Sequence, residues 1–220
     1  MSEVILFYNL NPKNIPSVFD SFIKPKLNDY YEYMIFSESE MENRHKKYLS
    51  GLLKSQVEYL EVEGLLEYSD PYARRFSEIQ RNSFLIMIHA LLEEYVIDLC
   101  CIERGAWTDF KFTEQCRKMS TIQKAFNFIT KKLKKDIPIA IDDWENINKV
   151  NNIRNCLVHC GGDITRIENK KRRIKDIREH IEKMDYISIN AFQVITLEKE
   201  FCLNYIKVVN RFLSSLYKNF

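Results

Sequence analysis

The sequence predicts a mostly α-helical protein, and three observations carry that prediction. The 220 residues include only five Gly and five Pro, too few turn formers for a many-stranded β-sandwich or barrel. Hydrophobic residues make up 45% of the chain and charged residues 29%, which allows a sizeable core and excludes a low-complexity chain. Apolar residues also recur at helical spacing. We therefore expect a helical bundle with an N-terminal helical extension and a small β-hairpin before the last helix.

Residues 1–70 are predicted to form the N-terminal helical extension. Three prolines interrupt the first 35 residues, which predicts short helices or irregular structure there. A long helix is expected over about 38–67, because apolar residues recur at helical spacing and Ser37 or Ser39 can cap its start.

Residues 71–220 are predicted to form the main helical domain, in one compact unit with the extension. Alternation and β-branched residues over 186–197 indicate a hairpin around Asn190 and Ala191. Gly161 and Gly162 supply a helix stop. The expected helices cover about 72–103, 117–135, 142–159, 165–183 and 198–218.

The sequence also predicts where the protein resides. No run of 18 apolar residues is present, so we expect no transmembrane helix. The first residues lack a basic region and a small-residue cleavage site, so we expect no secretory signal. Six cysteines lie mostly in apolar helical stretches without the spacing of a disulfide scaffold, which favours reduced thiols in a cytoplasmic protein.

Charge is distributed unevenly along the chain. Residues 1–116 hold 12 basic and 19 acidic residues, a balance of −7, whereas residues 117–220 hold 21 and 12, a balance of +9. The basic half could therefore face an anionic partner. Alternatively, the two halves attract each other or a second copy of the chain, and the counts do not separate these interpretations.

The segment NNIRNCLVHCGG, residues 151–162, contains the most informative motif. Arg154 is followed by the polar Asn155, and four residues separate Arg154 from His159. This motif resembles that of the HEPN superfamily, small α-helical domains whose ribonuclease members carry Arg, usually a polar residue, and then His. An earlier apolar helix that contains Glu93 and a helix after the motif fit the same layout, over roughly 72–218.

The resemblance implies a metal-independent endoribonuclease that works as a homodimer, with the two motif helices meeting in a composite cleft. It further implies a toxin or an antiphage defence effector that binds RNA, is often silenced by an antitoxin or regulatory protein, and needs no cofactor. The competing interpretation is a non-catalytic HEPN-like module that binds RNA or protein and dimerises.

The residue types of the motif suit RNA cleavage by the substrate's own 2′-hydroxyl. His159 can move protons near neutral pH, Arg154 can grip a phosphate with two donors, and Asn155 can orient either group. At about 100° per residue, Asn155 and His159 lie one turn apart, whereas Arg154 lies about 140° from His159 around the helix. Either the long side chain of Arg154 curls round the helix, or the helix lies in an interface where both flanks matter, and the resemblance to HEPN domains implies the interface. The position of His159 at a helix C-terminus favours its charged form.

Three polar residues share one stripe of the otherwise apolar helix predicted over 72–103. Asn82, His89 and Glu93 are spaced by seven and four positions, which places them within about 20° of one line along the helix. Buried polar groups need partners. Either these three bind one another and the nearby backbone, or they face the cleft, where Glu93 could pair with Arg154 or orient His159.

Two basic runs are candidates for phosphate contacts, although such runs are usually solvated faces. The first, here called the lysine run, comprises Lys131, Lys132, Lys134 and Lys135. The second basic run comprises Lys170, Lys171, Arg172 and Arg173. A metal site is not expected at Cys156, His159 and Cys160, because zinc would need a further closely spaced ligand pair.

Overall fold

A computed structural model describes residues 15–62, 65, 70–113, 116–167 and 171–220. Over these ranges the protein is mostly α-helical, with a two-stranded hairpin directly before the last helix. The predicted fold class is confirmed at this level. None of the helices in the described ranges is long and apolar enough to span a membrane.

The N-terminal region is more helical than predicted. Helix α1 (Ile15–Val18) continues through a π-helical segment (Phe19–Ile23) into α2 (Lys24–Ser50). The prediction of short or irregular structure is therefore wrong from Lys24 onward, because Pro25 lies directly after the π-helical segment and the helix continues through it. Ser37 lies inside α2, and its hydroxyl donates to the Tyr33 carbonyl at 2.7 Å instead of capping a helix.

The long helix predicted over 38–67 is also interrupted. Helix α2 ends at Ser50, and α3 covers Lys54–Val62. The Gly51 N–H donates to the Tyr48 carbonyl at 3.1 Å, and the Gln56 side chain accepts from the Leu53 N–H at 2.8 Å, so a turn and a new helix start replace the continuous helix. Residues 63, 64 and 66–69 lie outside the described residues.

The remaining predicted helices are present in the predicted order, together with one helix that was not predicted. Helix α4 (Arg75–Cys100) extends into a 3₁₀ turn (Cys101–Glu103), as expected for 72–103, and is followed by α5 (Arg104–Lys111). Helix α6 (Thr121–Asn127) begins at a capping box formed by Ser120 and Gln123 and continues as a π-helical segment (Phe128–Lys132).

Helix α7 covers Ile141–Cys160, in agreement with the prediction for 142–159, and a 3₁₀ turn follows at Ile164–Arg166. Helix α8 covers Lys171–Ile181, later than the predicted start at 165, because Ile167 adopts an extended conformation. The predicted hairpin is present as β1 (Ile187–Ile189) paired antiparallel with β2 (Ile195–Leu197), and α9 covers Lys199–Lys218.

The chain forms two compact units, each assembled from segments that are distant in sequence. The first unit comprises Met1–Leu27, Met87–Arg154 and Tyr205–Phe220, and its core includes Phe19, Ile23, Leu92, Phe128, Phe212 and Tyr217. The second comprises Asn28–Ile86 and Asn155–Asn204, and its core includes Met34, Leu85, Ile164, Ile195, Leu197 and Cys202. The predicted division into an extension (1–70) and a main domain (71–220) stays a prediction.

Candidate functional site

Helix α7 carries the motif and ends directly after it. Gly161 and Gly162 both adopt positive φ angles, 62° and 83°, and the Gly162 N–H donates to the Cys156 carbonyl at 3.2 Å. A Cβ at Gly162 would lie 3.3 Å from Leu157 Cδ2 and 3.4 Å from Val194 Cγ1. The stop is therefore fixed by glycine, and it leaves His159 exposed in the last turn of the helix.

Arg154 forms an ion pair with Glu93, one of the partners expected for Glu93 from the sequence. Its Nη2 atom lies 3.4 Å from Oε2 of Glu93 on α4, and both side chains are about one-fifth exposed, at 22% and 19%. Burial raises the pKa of Glu93, while the charge of Arg154 and a hydrogen bond from Thr121 act in the opposite direction. The pair belongs to the first unit.

The other motif residues belong to the second unit, although they follow Arg154 on the same helix. Asn155 is half-buried, whereas His159 is exposed. The structure therefore brings Glu93 and Arg154 together, and it presents His159 to solvent.

His89 is at the centre of a second group of polar contacts in the first unit. Its side chain is fully buried, its Nδ1 lies 2.6 Å from the Tyr205 hydroxyl, and its Nε2 lies 3.3 Å from Asn151 Oδ1. The His89 and Tyr205 rings are stacked, with an interplanar angle of 17°. Burial, followed by the nearby charge of Arg154, lowers the pKa of His89 to about 4.

The hydrogen-bond partners of His89 indicate which nitrogen of its ring carries the proton. Because Asn151 presents its carbonyl oxygen, His89 Nε2–H donates to it, and Nδ1 then accepts from the Tyr205 hydroxyl. The assignment agrees with a neutral imidazole and with a Tyr205 pKa that burial raises well above its ordinary value. Every polar atom of the buried imidazole therefore has a hydrogen-bond partner.

Two residues of the predicted polar stripe, His89 and Glu93, lie in the first unit. There His89 contacts Tyr205 and Asn151, and Glu93 contacts Arg154. Asn82 lies in the second unit, half-buried on α4. The sequence reasoning missed Asn151 and Tyr205. Asn151 stands one turn before Arg154 on α7, which is a signal that could have been read, but Tyr205 is 116 residues from His89 and has no local signature.

The basic runs are mostly exposed where they are described. Lys131, Lys132 and Lys134 are exposed, and Lys135 is half-buried, with its Nζ 5.1 Å from the centre of the Phe220 ring. In the second basic run, Lys171, Arg172 and Arg173 are exposed in the first turn of α8, and Lys170 lies outside the described residues.

The cysteines are free thiols, and four of the six are buried. Burial raises the pKa of Cys156 and that of Cys202 to about 12, which keeps both thiols protonated. Within the described ranges, no group of three or more His, Cys, Asp or Glu side chains is arranged to hold a metal ion.

Comparisons of the chain with protein-family models, with curated proteins and with solved structures found no match.

Proposed function

We propose that this protein is a metal-independent endoribonuclease of the HEPN type. The observation that carries the proposal is the environment of Arg154 and His159 on α7. Arg154 is held by Glu93 at 3.4 Å, and His159 is exposed in the last turn, at a helix end that two glycines fix. An anchored cation that can contact the phosphate and an accessible imidazole that can transfer protons therefore lie on one helix.

In the proposed reaction the 2′-hydroxyl of RNA attacks the adjacent phosphorus, and the 5′-oxygen leaves. Arg154 neutralises charge on the non-bridging oxygens, since its guanidinium has five N–H donors and can contact a phosphate as well as Glu93. His159 takes the proton of the 2′-hydroxyl and, as imidazolium, gives a proton to the leaving 5′-oxygen, and Asn155 orients the imidazole or the phosphate. Glu93 holds Arg154 in place.

The proposed active form is a homodimer. Arg154 and His159 lie five positions apart on one helix and therefore point in directions that differ by about 140°. Two α7 helices that meet about a two-fold axis would supply two Arg and two His side chains to one cleft. Such a dimer should persist at micromolar concentration.

The biological setting follows from the resemblance alone. We propose a cytoplasmic toxin or antiphage defence effector that acts on RNA and is silenced by an antitoxin or regulatory protein. The basic second half of the chain, at +9, suits an RNA partner.

Complementation between two inactive chains tests the shared site. Arg154→Ala and His159→Ala homodimers should each be inactive, whereas mixing the two chains yields heterodimers with one intact Arg and one intact His. These heterodimers should recover RNA cleavage that neither parent has. A protein that sediments as a monomer at micromolar concentration and still cleaves RNA would contradict the shared cleft.

One observation favours the second candidate function, a non-catalytic module that binds RNA or protein. The Arg154–Glu93 pair is about four-fifths buried, and buried ion pairs often serve structure. In that case Arg154→Ala should reduce stability, and His159→Ala should leave RNA binding and dimerisation unchanged.

A further inference from the structure

A small cleft in the first unit combines an apolar floor with two cationic side chains. Its volume is about 150 Å³, and its lining residues are Phe110, Cys116, Met119, Asn127, Lys131 and Lys132. From this combination we infer that the cleft binds a pyrimidine nucleotide, with the base inside and the phosphate on the two lysines.

The size of the cleft selects a single ring. A protein cavity of about 150 Å³ lined by apolar side chains is known to hold one benzene molecule. A pyrimidine has one six-membered ring, whereas a purine has two fused rings. The volume therefore favours pyrimidines over purines.

Phe110 is the aromatic residue among those that line the cleft, and it belongs to a cluster of aromatic rings. The Phe110 ring packs against the buried Phe128 ring, with centroids 5.4 Å apart. The Trp107 ring also packs against Phe128, with centroids 5.4 Å apart. Stacking of a base on an aromatic side chain is worth about 1–3 kcal/mol in single-strand binding proteins and does not depend on which base is stacked. Stacking on Phe110 therefore supplies affinity, while the volume supplies selectivity.

Asn127 distinguishes a base from a plain aromatic ring. Its side-chain nitrogen donates to the Met119 thioether at 3.2 Å. A thioether is a weak acceptor, so a carbonyl or ring nitrogen of a base could replace it at little cost. The carboxamide offers both donors and an acceptor, which match the mixed edge of a pyrimidine and have no counterpart on a benzene ring.

Lys131 and Lys132 place positive charge beside the cleft. Both are exposed and lie in the last turn of the π-helical segment. No acidic residue occurs in the sequence from Arg117 to Lys135, and the exposed Asp109 precedes the lining residue Phe110. Lys46 and Lys47 are two adjacent, exposed lysines of α2 that do not line the cleft, so they provide a matched control.

The test is calorimetric titration of the whole protein with UMP, AMP, phenyl phosphate and inorganic phosphate. We expect UMP to bind at least about tenfold more tightly than AMP and phenyl phosphate, and the Lys131→Gln/Lys132→Gln variant to weaken UMP binding about tenfold or more. The Lys46→Gln/Lys47→Gln variant should bind UMP like the wild type, and Asn127→Leu should weaken binding of UMP but not of phenyl phosphate. Thermal unfolding checks that each variant is folded.

A second arm, titration with an oligouridylate, identifies the source of the nucleotide. Tighter binding than UMP, with the same loss in Lys131→Gln/Lys132→Gln, assigns the cleft to RNA, and equal binding assigns it to a free nucleotide. The inference concerns binding alone, so loss of RNA cleavage in His159→Ala neither supports nor contradicts it. Equal binding of UMP and phenyl phosphate, equal loss in both lysine pairs, or no binding of UMP at millimolar concentration would overturn it.

Discussion

Acid should destabilise this protein through His89, and the size of the effect follows from its surroundings. The imidazole is fully buried and holds its neutral form between Tyr205 and Asn151. Its pKa is about 4 in the folded protein and about 6.5 in an unfolded chain. Because the folded pKa is the lower one, the stabilisation is fully present above pH 6.5 and is lost as the pH falls towards 4.

The difference of 2.5 pKa units corresponds to about 3 kcal/mol at 1.36 kcal/mol per unit. His89→Gln removes the titrating group while keeping a polar side chain. We expect the free energy of unfolding in urea to fall by about 3 kcal/mol more in the wild type than in His89→Gln between pH 7 and pH 4. At pH 7 the variant itself should be less stable by about 1–3 kcal/mol, because the hydrogen bonds are remade imperfectly.

Other groups also titrate in this window. Burial raises the pKa of Glu93, and burial together with the charge of Glu94 raises the pKa of Asp98 to about 6, so both lower the stability as the pH rises. Wild type and His89→Gln share these terms, which cancel in the difference. Tyr205→Phe is a control that should keep most of the pH slope, since it retains the imidazole. Parallel pH dependences for wild type and His89→Gln would refute the reasoning, as would an imidazole that titrates near pH 6.5 by NMR.

Two further predictions concern the helix stop and the charged surface. Gly162→Ala should lower the free energy of unfolding by about 1–3 kcal/mol, because φ is 83° and the new methyl would meet Leu157 at 3.3 Å; an unchanged urea midpoint would show that the turn relaxes freely. Neutralising all four lysines of the lysine run should weaken RNA binding, as measured by titration at several salt concentrations. The salt slope should fall by about 0.7 for each phosphate of a single strand that the protein no longer neutralises. An unchanged salt slope would show that the lysine run is a solvated surface that does not contact RNA phosphates.

Much of the fold could be predicted from local sequence. The paired glycines after the motif required positive φ and ended α7 as expected, and the alternating residues over 186–197 formed the hairpin. The start of α2 was missed because Pro25 was interpreted as a break, whereas the helix continues through it after a π-helical segment. The interruption at Gly51 was missed because the helical spacing continues across it.

The environment of the candidate residues was only partly predictable. Glu93 was selected from the polar stripe of an apolar helix because the resemblance implies an acidic residue there, and it contacts Arg154. Tyr205 could not be found, because its hydrogen bond with His89 joins positions 116 residues apart and depends on how α9 packs in the first unit. The roles of Arg154, Asn155 and His159 in catalysis stay predictions.

The proposed ribonuclease activity is tested most directly by incubating total RNA with the purified protein in EDTA. The wild type should cut the RNA and leave 2′,3′-cyclic phosphate or 3′-phosphate ends, because the attacking group is the substrate's own 2′-hydroxyl. His159→Ala should cut about 10²–10⁴-fold more slowly, the usual cost of removing one proton-transfer group. Equal cleavage by His159→Ala and wild type, or cleavage that EDTA abolishes and Mg²⁺ restores, would contradict the account.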